Sequence, residues 1–353
     1  MAFNVVLLPG DGIGPEVIRE ARRALERVAE LFRRDIVFTE HLIGGAALSD
    51  GRPPLPEETL KAAMASDGVL LGAVGDPRFD HLPPGSRPES GLLAIRKGLG
   101  VFANLRPAKA WTGLESSGPL KPEVLAGTDM IVVRELLGGL YYGTPREWNH
   151  ATDQAINTLR YSRMEVERVA HVAFGLAMQR QKRLVSVDKA NVLETSQLWR
   201  ATVNDVAKRY PDVKVTHEYV DACAMKLACA PASFDVLLTE NLFGDILSDE
   251  AGAICGSLGM LPSASLGDGP GLFEPVHGSA PTIAGKNIAN PCGALLSAAM
   301  LLRSGLKLDA EAASLERAVE TALASGLRTA DLGGATSTAA FSDAVLEAIT
   351  MKA

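Results

Sequence analysis

Asn4-Val-Val-Leu-Leu-Pro-Gly10-Asp-Gly-Ile-Gly14-Pro15-Glu16 joins a short apolar run to a glycine-rich turn and a proline. The run reads as a buried strand. Pro15 then opens a segment that sets Val17, Ile18, Ala21, Leu25, Val28 and Phe32 on one face, the pattern of an amphipathic helix. Glu16 near its start and Arg33 and Arg34 at its end suit the helix dipole. Strand, tight loop and helix in this order is where a dinucleotide-binding loop would sit. The G-x-G-x-x-G fingerprint, however, needs glycine where Pro15 stands, because its third glycine lets the helix pack closely on the strand. The stretch therefore predicts an α/β fold with a structural turn here, and any nucleotide site is expected elsewhere.

Working outward, residues 36–40 and 68–74 read as strands, the second buried on both faces, with a helix over 57–65 between them. Further strands are expected over 130–134, 183–187, 213–219 and 236–239, and helices over 163–179, 196–210 and from about Asn241 through Ile254. A last helix over 309–325 takes Asp309 as N-cap and Gly326 as its stop. Alternating elements imply a largely parallel sheet. The proline-rich stretches 76–88 and 107–122 predict irregular surface segments.

The chain has 353 residues, 47% hydrophobic and 22% charged, enough for roughly two domains. With 42 acidic against 35 basic residues its formal charge is −7, the wrong sign for a phosphate backbone, so nucleic acid is not an expected partner. The longest aliphatic stretch, residues 294–302, falls short of the roughly 20 residues a bilayer requires, so no membrane partner is expected either. The N-terminal run lacks the basic start of a secretory signal. Cys223, Cys229, Cys255 and Cys292 show no metal or disulfide spacing and read as reduced structural thiols. A cytoplasmic protein is expected.

Asp245 and Asp249 lie four residues apart, on one face of the expected helix. Two such carboxylates repel unless a cation lies between them, so the pair is either a solvated acidic face or part of an oxygen-lined site for Mg²⁺ or Mn²⁺. Asp221, at a strand end, is a candidate third carboxylate. Arg96, Arg106 and Arg134 each sit beside apolar material and need anionic partners, as ion pairs or as a clamp on a substrate with two carboxylates. Lys189 follows an apolar strand. It is a snorkelling lysine or, inside a cleft with neighbouring cations, a base.

Taken in order, Pro9–Glu16, Phe102-Ala-Asn-Leu-Arg-Pro107, Val133-Arg-Glu-Leu-Leu-Gly-Gly-Leu-Tyr-Tyr-Gly143, Val187-Asp-Lys-Ala-Asn-Val-Leu-Glu-Thr-Ser196, Tyr219-Val-Asp221, Asn241-Leu-Phe-Gly-Asp-Ile-Leu-Ser-Asp-Glu250, Gly256-Ser-Leu-Gly-Met-Leu-Pro-Ser263 and Glu274-Pro-Val-His-Gly-Ser-Ala-Pro281 resemble the β-decarboxylating dehydrogenases of isocitrate and isopropylmalate. The resemblance covers essentially the whole chain. It implies a two-domain α/β fold of that family's own type rather than a standard Rossmann topology. One discontinuous cofactor-binding domain would comprise residues 1–100 and 253–353, and a central dimerisation, substrate and metal domain residues 101–252, with a clasp near 147–160. It also implies a homodimer with shared active sites.

In that resemblance Arg96, Arg106 and Arg134 match the clamps on the malate carboxylates, and Asp245, Asp249 and a second copy's Asp221 match the Mg²⁺ or Mn²⁺ ligands. Lys189 matches the base that takes the C2 hydroxyl proton, and Tyr141 the acid that protonates C3 after CO₂ leaves. Leu92, Leu93 and a second copy's Val192 imply an apolar pocket for a branched alkyl group, where isocitrate and homoisocitrate enzymes place polar groups. Glu89, Asn191, His277, Gly278, Ser279, Ala280, Thr282, Ile283 and Asn290 match cofactor contacts. The chain departs from pattern twice. Leu137 replaces a more usual threonine, and Thr282 replaces the aspartate by which NAD-specific members repel a 2′-phosphate. No lysine–tyrosine pair of the NADP kind is present at Thr282-Ile283, so NAD is expected with weakened discrimination. The implied activity is NAD-dependent oxidative decarboxylation of 3-isopropylmalate, in leucine biosynthesis. The alternatives are a paralogue acting on tartrate, another 3-alkylmalate or homoisocitrate, and a non-catalytic nucleotide-binding relative.

Overall fold

The structure, a computed structural model, describes residues 2–351. The chain divides into two compact units, one of residues 1–101, 111–119 and 255–353, the other of residues 102–110 and 120–254. The segment 111–119 thus belongs with the chain ends, although sequence reasoning placed it in the central domain.

In the first unit, β1 (Phe3–Gly10) pairs in parallel with β2 (Ile36–Glu40) on one side and β3 (Gly68–Ala73) on the other. All of β3 is buried, as an apolar run covered on both faces should be. Apart from Val101, the second unit supplies β4 (Val101–Lys109), and it supplies β5 (Asp129–Glu135), β6 (Arg146–Asn149), β7 (Gln154–Asn157), β8 (Arg183–Asp188), β9 (Lys214–Tyr219) and β10 (Val236–Thr239). Returning to the first unit, the chain adds β11 (Pro262–Gly267) and β12 (Leu272–Pro275). β12 lies parallel to β3, with Leu272 opposite Val69, and antiparallel to β11. The C-terminal third therefore pairs with the first, which local patterns do not reveal. The resulting order, β2-β1-β3-β12-β11, is not that of the Rossmann fold.

The turn after β1 is held by its own carboxylate. Asp11 is buried and accepts hydrogen bonds from the main-chain N–H groups of Gly45 (2.9 Å), Ala46 (2.7 Å) and Gly75 (2.9 Å). Gly10 and Gly12 have φ of +69° and +57°, which favours glycine. The helix Gly14–Phe32 follows, burying Val17, Ile18, Ala21, Leu25 and Val28, and ends where Arg33 turns left-handed at φ 54°. The donors that a pyrophosphate loop would offer to an anion are here bonded to main-chain carbonyls, Asp11 N–H to Ala73, Ile13 N–H to Ser279 and Gly14 N–H to Asp11. Asp11→Ala would strand one buried and two part-buried N–H groups and is expected to cost about 2–4 kcal/mol of stability. Urea denaturation reads this, and a loss below about 1 kcal/mol would contradict it.

In the second unit the order is β4-β5-β10-β8-β9, parallel except for the β4/β5 pair. β4 runs on through Pro107 to Lys109, opposite Asp129, so the expected surface stretch starts later than its prolines suggested. The helix Arg163–Gln179 opens on a capping box between Ser162 and Glu165. β6 and β7 form a hairpin with every residue exposed, Trp148 and Ile156 among them. In the first unit the helix Asp309–Ala324 begins at Asp309 itself. Its cap is Leu308, without a side-chain bond, so Asp309 serves the first turn by charge rather than as N-cap. Gly326, at φ +94°, follows its end. No helix among the described residues is long and apolar enough to cross a membrane.

Candidate active site

Within the second unit, β4 and β5 place two arginines in register: Arg106 lies opposite Val132 and Arg134 opposite Asn104. Both guanidinium groups are buried, at 7% and 3% relative exposure. Such groups require anions, and the helix Asn241–Ile254 provides them. Arg134 Nη1 donates to Asp245 Oδ1 at 2.5 Å, and Arg106 Nη1 donates to Asp249 Oδ1 at 3.2 Å and Ser248 Oγ at 2.8 Å. Arg106 Nη2 stands 3.4 Å from Asp245 Oδ1. Gly244 makes the approach possible, since a Cβ there would lie 2.7 Å from Arg134 Cγ.

Tyr141 joins this cluster through its hydroxyl, which donates to Asp245 Oδ2 at 2.8 Å. Burial and, next, the hydrogen bond to Asp245 push the phenol above its ordinary range, so it keeps its proton at neutral pH. Burial also pushes the Asp249 carboxyl up, against the pull of Arg106 and with added repulsion from Asp245. Asp245 and Asp249 are all-oxygen donors one turn apart, and a hard divalent cation would relieve that repulsion. Among the described residues no group of three or more His, Cys, Asp or Glu side chains is placed to hold a metal ion. One chain therefore brings two of the three expected aspartates together but not the third.

Asp221 opens the helix Val220–Cys229 directly after β9, and Lys189 follows β8, the neighbouring strand. Lys189 Nζ donates to Asp221 Oδ1 at 2.5 Å, and Lys189 holds the Asp221 carboxyl below its usual range. Of the two readings open in the sequence, a snorkelling lysine or a base beside cations, neither anticipates that Lys189 pairs with a carboxylate. Its main-chain N–H is fixed on Ser196 Oγ at 3.0 Å. Two and three residues on, Asn191 and Val192 face outward, and Val192 is 62% exposed.

In the first unit, the helix Pro88–Leu99 carries Leu92, Leu93 and Arg96 on one face by their spacing. Both leucines are half-buried and Glu89 is exposed. Arg96 Nη2 donates to Glu274 Oε1 at 2.7 Å. Beyond Glu274, His277 Nδ1 bonds the Gly278 carbonyl at 2.9 Å, and burial lowers the imidazole's proton affinity. A neutral ring that donates through Nδ1 presents Nε2 as an acceptor, and this buried atom has no hydrogen-bond partner. Such an atom suits a bound nucleotide bearing a donor. The Ser279 carbonyl accepts the Ile13 N–H at 2.8 Å, which ties the turn after β1 to this loop. Ala280 is left-handed at φ 40°, Thr282 is exposed and Ile283 half-buried. Asn290 is buried, donating to Asp331 at 2.9 Å and accepting the Cys292 N–H at 3.0 Å. The cysteines are all free; Cys229 is exposed, unlike the other three.

Sequence reasoning assigned no role to Asp11, Asn241, Glu135, Tyr161 or Asp331. Asn241 left a signal, since an asparagine at a strand-to-helix junction competes for backbone groups.

Buried arginines set against paired carboxylates thus gather complementary charge at one end of an α/β sheet unit. The chain matches the sequence model "Isocitrate/isopropylmalate dehydrogenase" over residues 4–345 and belongs to that family. It is 57% identical to a 3-isopropylmalate dehydrogenase of Synechococcus sp. over 94% of this chain and 93% of that protein. It is 54% identical to a 3-isopropylmalate dehydrogenase of Shouchella clausii over 100% of this chain and 99% of that one. Among solved structures it resembles the isocitrate dehydrogenase of Methylococcus capsulatus, with a TM-score of 0.87, 33% identity and coverage of 98% of this chain and 99% of that one.

Proposed function

We propose that this chain is a cytoplasmic, NAD-dependent 3-isopropylmalate dehydrogenase of leucine biosynthesis that oxidises and decarboxylates its substrate to 4-methyl-2-oxopentanoate. The observation that carries the reading is the pair of buried arginines, Arg106 and Arg134, set against Asp245 and Asp249 beside the protonated Tyr141. When bound, NAD would supply the hydride acceptor, and Mg²⁺ or Mn²⁺, which Asp245, Asp249 and a second copy's Asp221 would hold, would supply positive charge to stabilise the developing enolate.

The chain's own groups do the rest. Arg96, Arg106 and Arg134 bind the carboxylates of the malate by charge-assisted hydrogen bonds. Lys189 takes the C2 hydroxyl proton as the 2-oxo group forms. That ketone, β to the departing carboxylate, receives the electron pair left when CO₂ departs, and Tyr141 then protonates C3 of the enol. Leu92 and Leu93, on the Arg96 side of their helix, favour a branched alkyl group over the additional carboxylate of isocitrate. The Lys189–Asp221 pair and the exposed Val192 support delivery of these residues to a second copy. The all-exposed β6/β7 hairpin supports dimerisation too, because an isolated two-stranded hairpin is barely stable in water. His277, Gly278, Ser279, Ala280, Thr282, Ile283 and Asn290, with Glu89 and Asn191, are the proposed cofactor contacts. The buried Nε2 of His277 supports that assignment.

Absorbance at 340 nm with purified protein, Mn²⁺, each cofactor and a panel of malates tests the proposal. Reduction of NAD with 3-isopropylmalate is expected, with a kcat/KM above that for NADP and by a narrow margin, because Thr282 lacks the charge to repel a 2′-phosphate. Preference for a tricarboxylate, or strong preference for NADP, would refute it.

A further inference from the structure

Asn241 stands fully buried where β10 passes into the acidic helix. Its Oδ1 accepts hydrogen bonds from Arg134 Nε at 3.0 Å and Nη2 at 2.7 Å. Its Nδ2 donates to the carbonyls of Leu136 and Gly138, both at 3.0 Å. A primary amide has two N–H donors and two oxygen lone pairs, so these bonds use its whole capacity. The amide has one tolerable orientation, because the reversed one would turn NH₂ on a guanidinium and oxygen on two carbonyls.

The same residue is anchored from below. Its main-chain N–H donates to Tyr161 Oη at 3.0 Å, and a Cβ on Gly139 would lie 2.6 Å from that oxygen, so the turn rests on the phenol. Glu135 grips the turn from the other end, accepting the Leu137 N–H at 3.0 Å and the Gly138 N–H at 2.7 Å. Two residues beyond Gly139 the chain reaches Tyr141, whose hydroxyl lies on Asp245. With Nε and Nη2 bound to Asn241, Arg134 turns Nη1 to the same carboxylate.

We infer that Asn241 is a positioning residue: one amide sets both the guanidinium that grips the substrate and the turn that aims the proton donor. The inference rests on the proposed roles of Arg134 and Tyr141. Asn241→Asp tests it, because the variant keeps oxygen toward Arg134 and replaces the donor with a second oxygen facing two carbonyls. The clamp survives while the turn is pushed away. A displacement on the order of 1 Å is expected to lower kcat about 100-fold, while KM for 3-isopropylmalate stays within about threefold. A purely structural role would lower the melting temperature and leave kcat per folded site near that of the wild type.

Should Asn241→Asp not fold, Tyr161→Phe removes the hydroxyl beneath the turn and leaves both bonds to Arg134 in place. It is expected to show the same one-sided fall, of about tenfold. A fall in kcat matched by an equal rise in KM, or no fall, overturns the inference. A wild type inactive on every malate overturns the functional reading as well, whereas an active wild type without the split overturns the role of Asn241 alone.

Discussion

Lys189→Met should lower kcat about 10³-fold, the middle of the range for losing a general base, and should scarcely move the melting temperature. Both halves of that expectation come from the same pair. Lys189 bonds Asp221 at 2.5 Å, but the Asp221 side chain is 67% exposed, and a pair so open to water contributes roughly 1 kcal/mol or less. Loss of the Lys189 amine therefore removes the proposed proton acceptor without disturbing a core. The stronger test asks in which subunit Lys189 works. If it serves a second copy's cleft, mixing Lys189→Met with Tyr141→Phe chains assembles some hybrid dimers with one site that has neither substitution. Random pairing then restores about a quarter of wild-type activity, half of the sites in half of the dimers. If Lys189 serves its own chain's cleft, every hybrid site carries one defect and the mixture stays as inactive as its parents.

The features of this site that local chemistry dictates were open to reading from the sequence, and those made by distant segments were not. Asp245 and Asp249 announce themselves because a helix brings positions four apart onto one face, and the repulsion between them asks for a cation. Arg106 and Arg134 stand out as charges within apolar strands. By contrast, the contact between Arg134 and Asp245 spans 111 residues and that between Arg134 and Asn241 spans 107, so no window of sequence displays either. Asn241 looks like an ordinary helix start until the β5 arginine and the glycine turn are set beside it. The helix starting at Asp309 shows the opposite failure: its first residue has the chemistry of an N-cap, yet the chain enters the helix one position earlier at Leu308. The strand β12 has no strong pattern of its own and is held beside β3 by partners about 200 residues upstream.

Asp245→Asn exchanges one oxygen for nitrogen and is expected to move two measurements in opposite directions. Asp245 Oδ1 lies 2.5 Å from Arg134 Nη1 and 3.4 Å from Arg106 Nη2, while Oδ2 accepts the Tyr141 proton at 2.8 Å. One carboxylate thus occupies both guanidinium groups proposed to grip the substrate and orients the proposed acid. With Mn²⁺ and NAD present, the variant loses a proposed metal ligand and a negative charge, and turnover should fall at least about 10³-fold, at the upper end for removing one preorganised electrostatic group. With the metal chelated, the sign reverses. In the wild type the dianion must displace Asp245 from two buried guanidinium groups, and close charge pairs of this kind are worth more than 1 kcal/mol. In the variant the neutral amide competes weakly, so metal-free protein should bind 3-isopropylmalate about tenfold more tightly than metal-free wild type. Calorimetric titration in EDTA reads the difference. Equal or weaker binding by Asp245→Asn would mean that Arg106 and Arg134 are structural ion pairs and that the substrate is gripped by other groups.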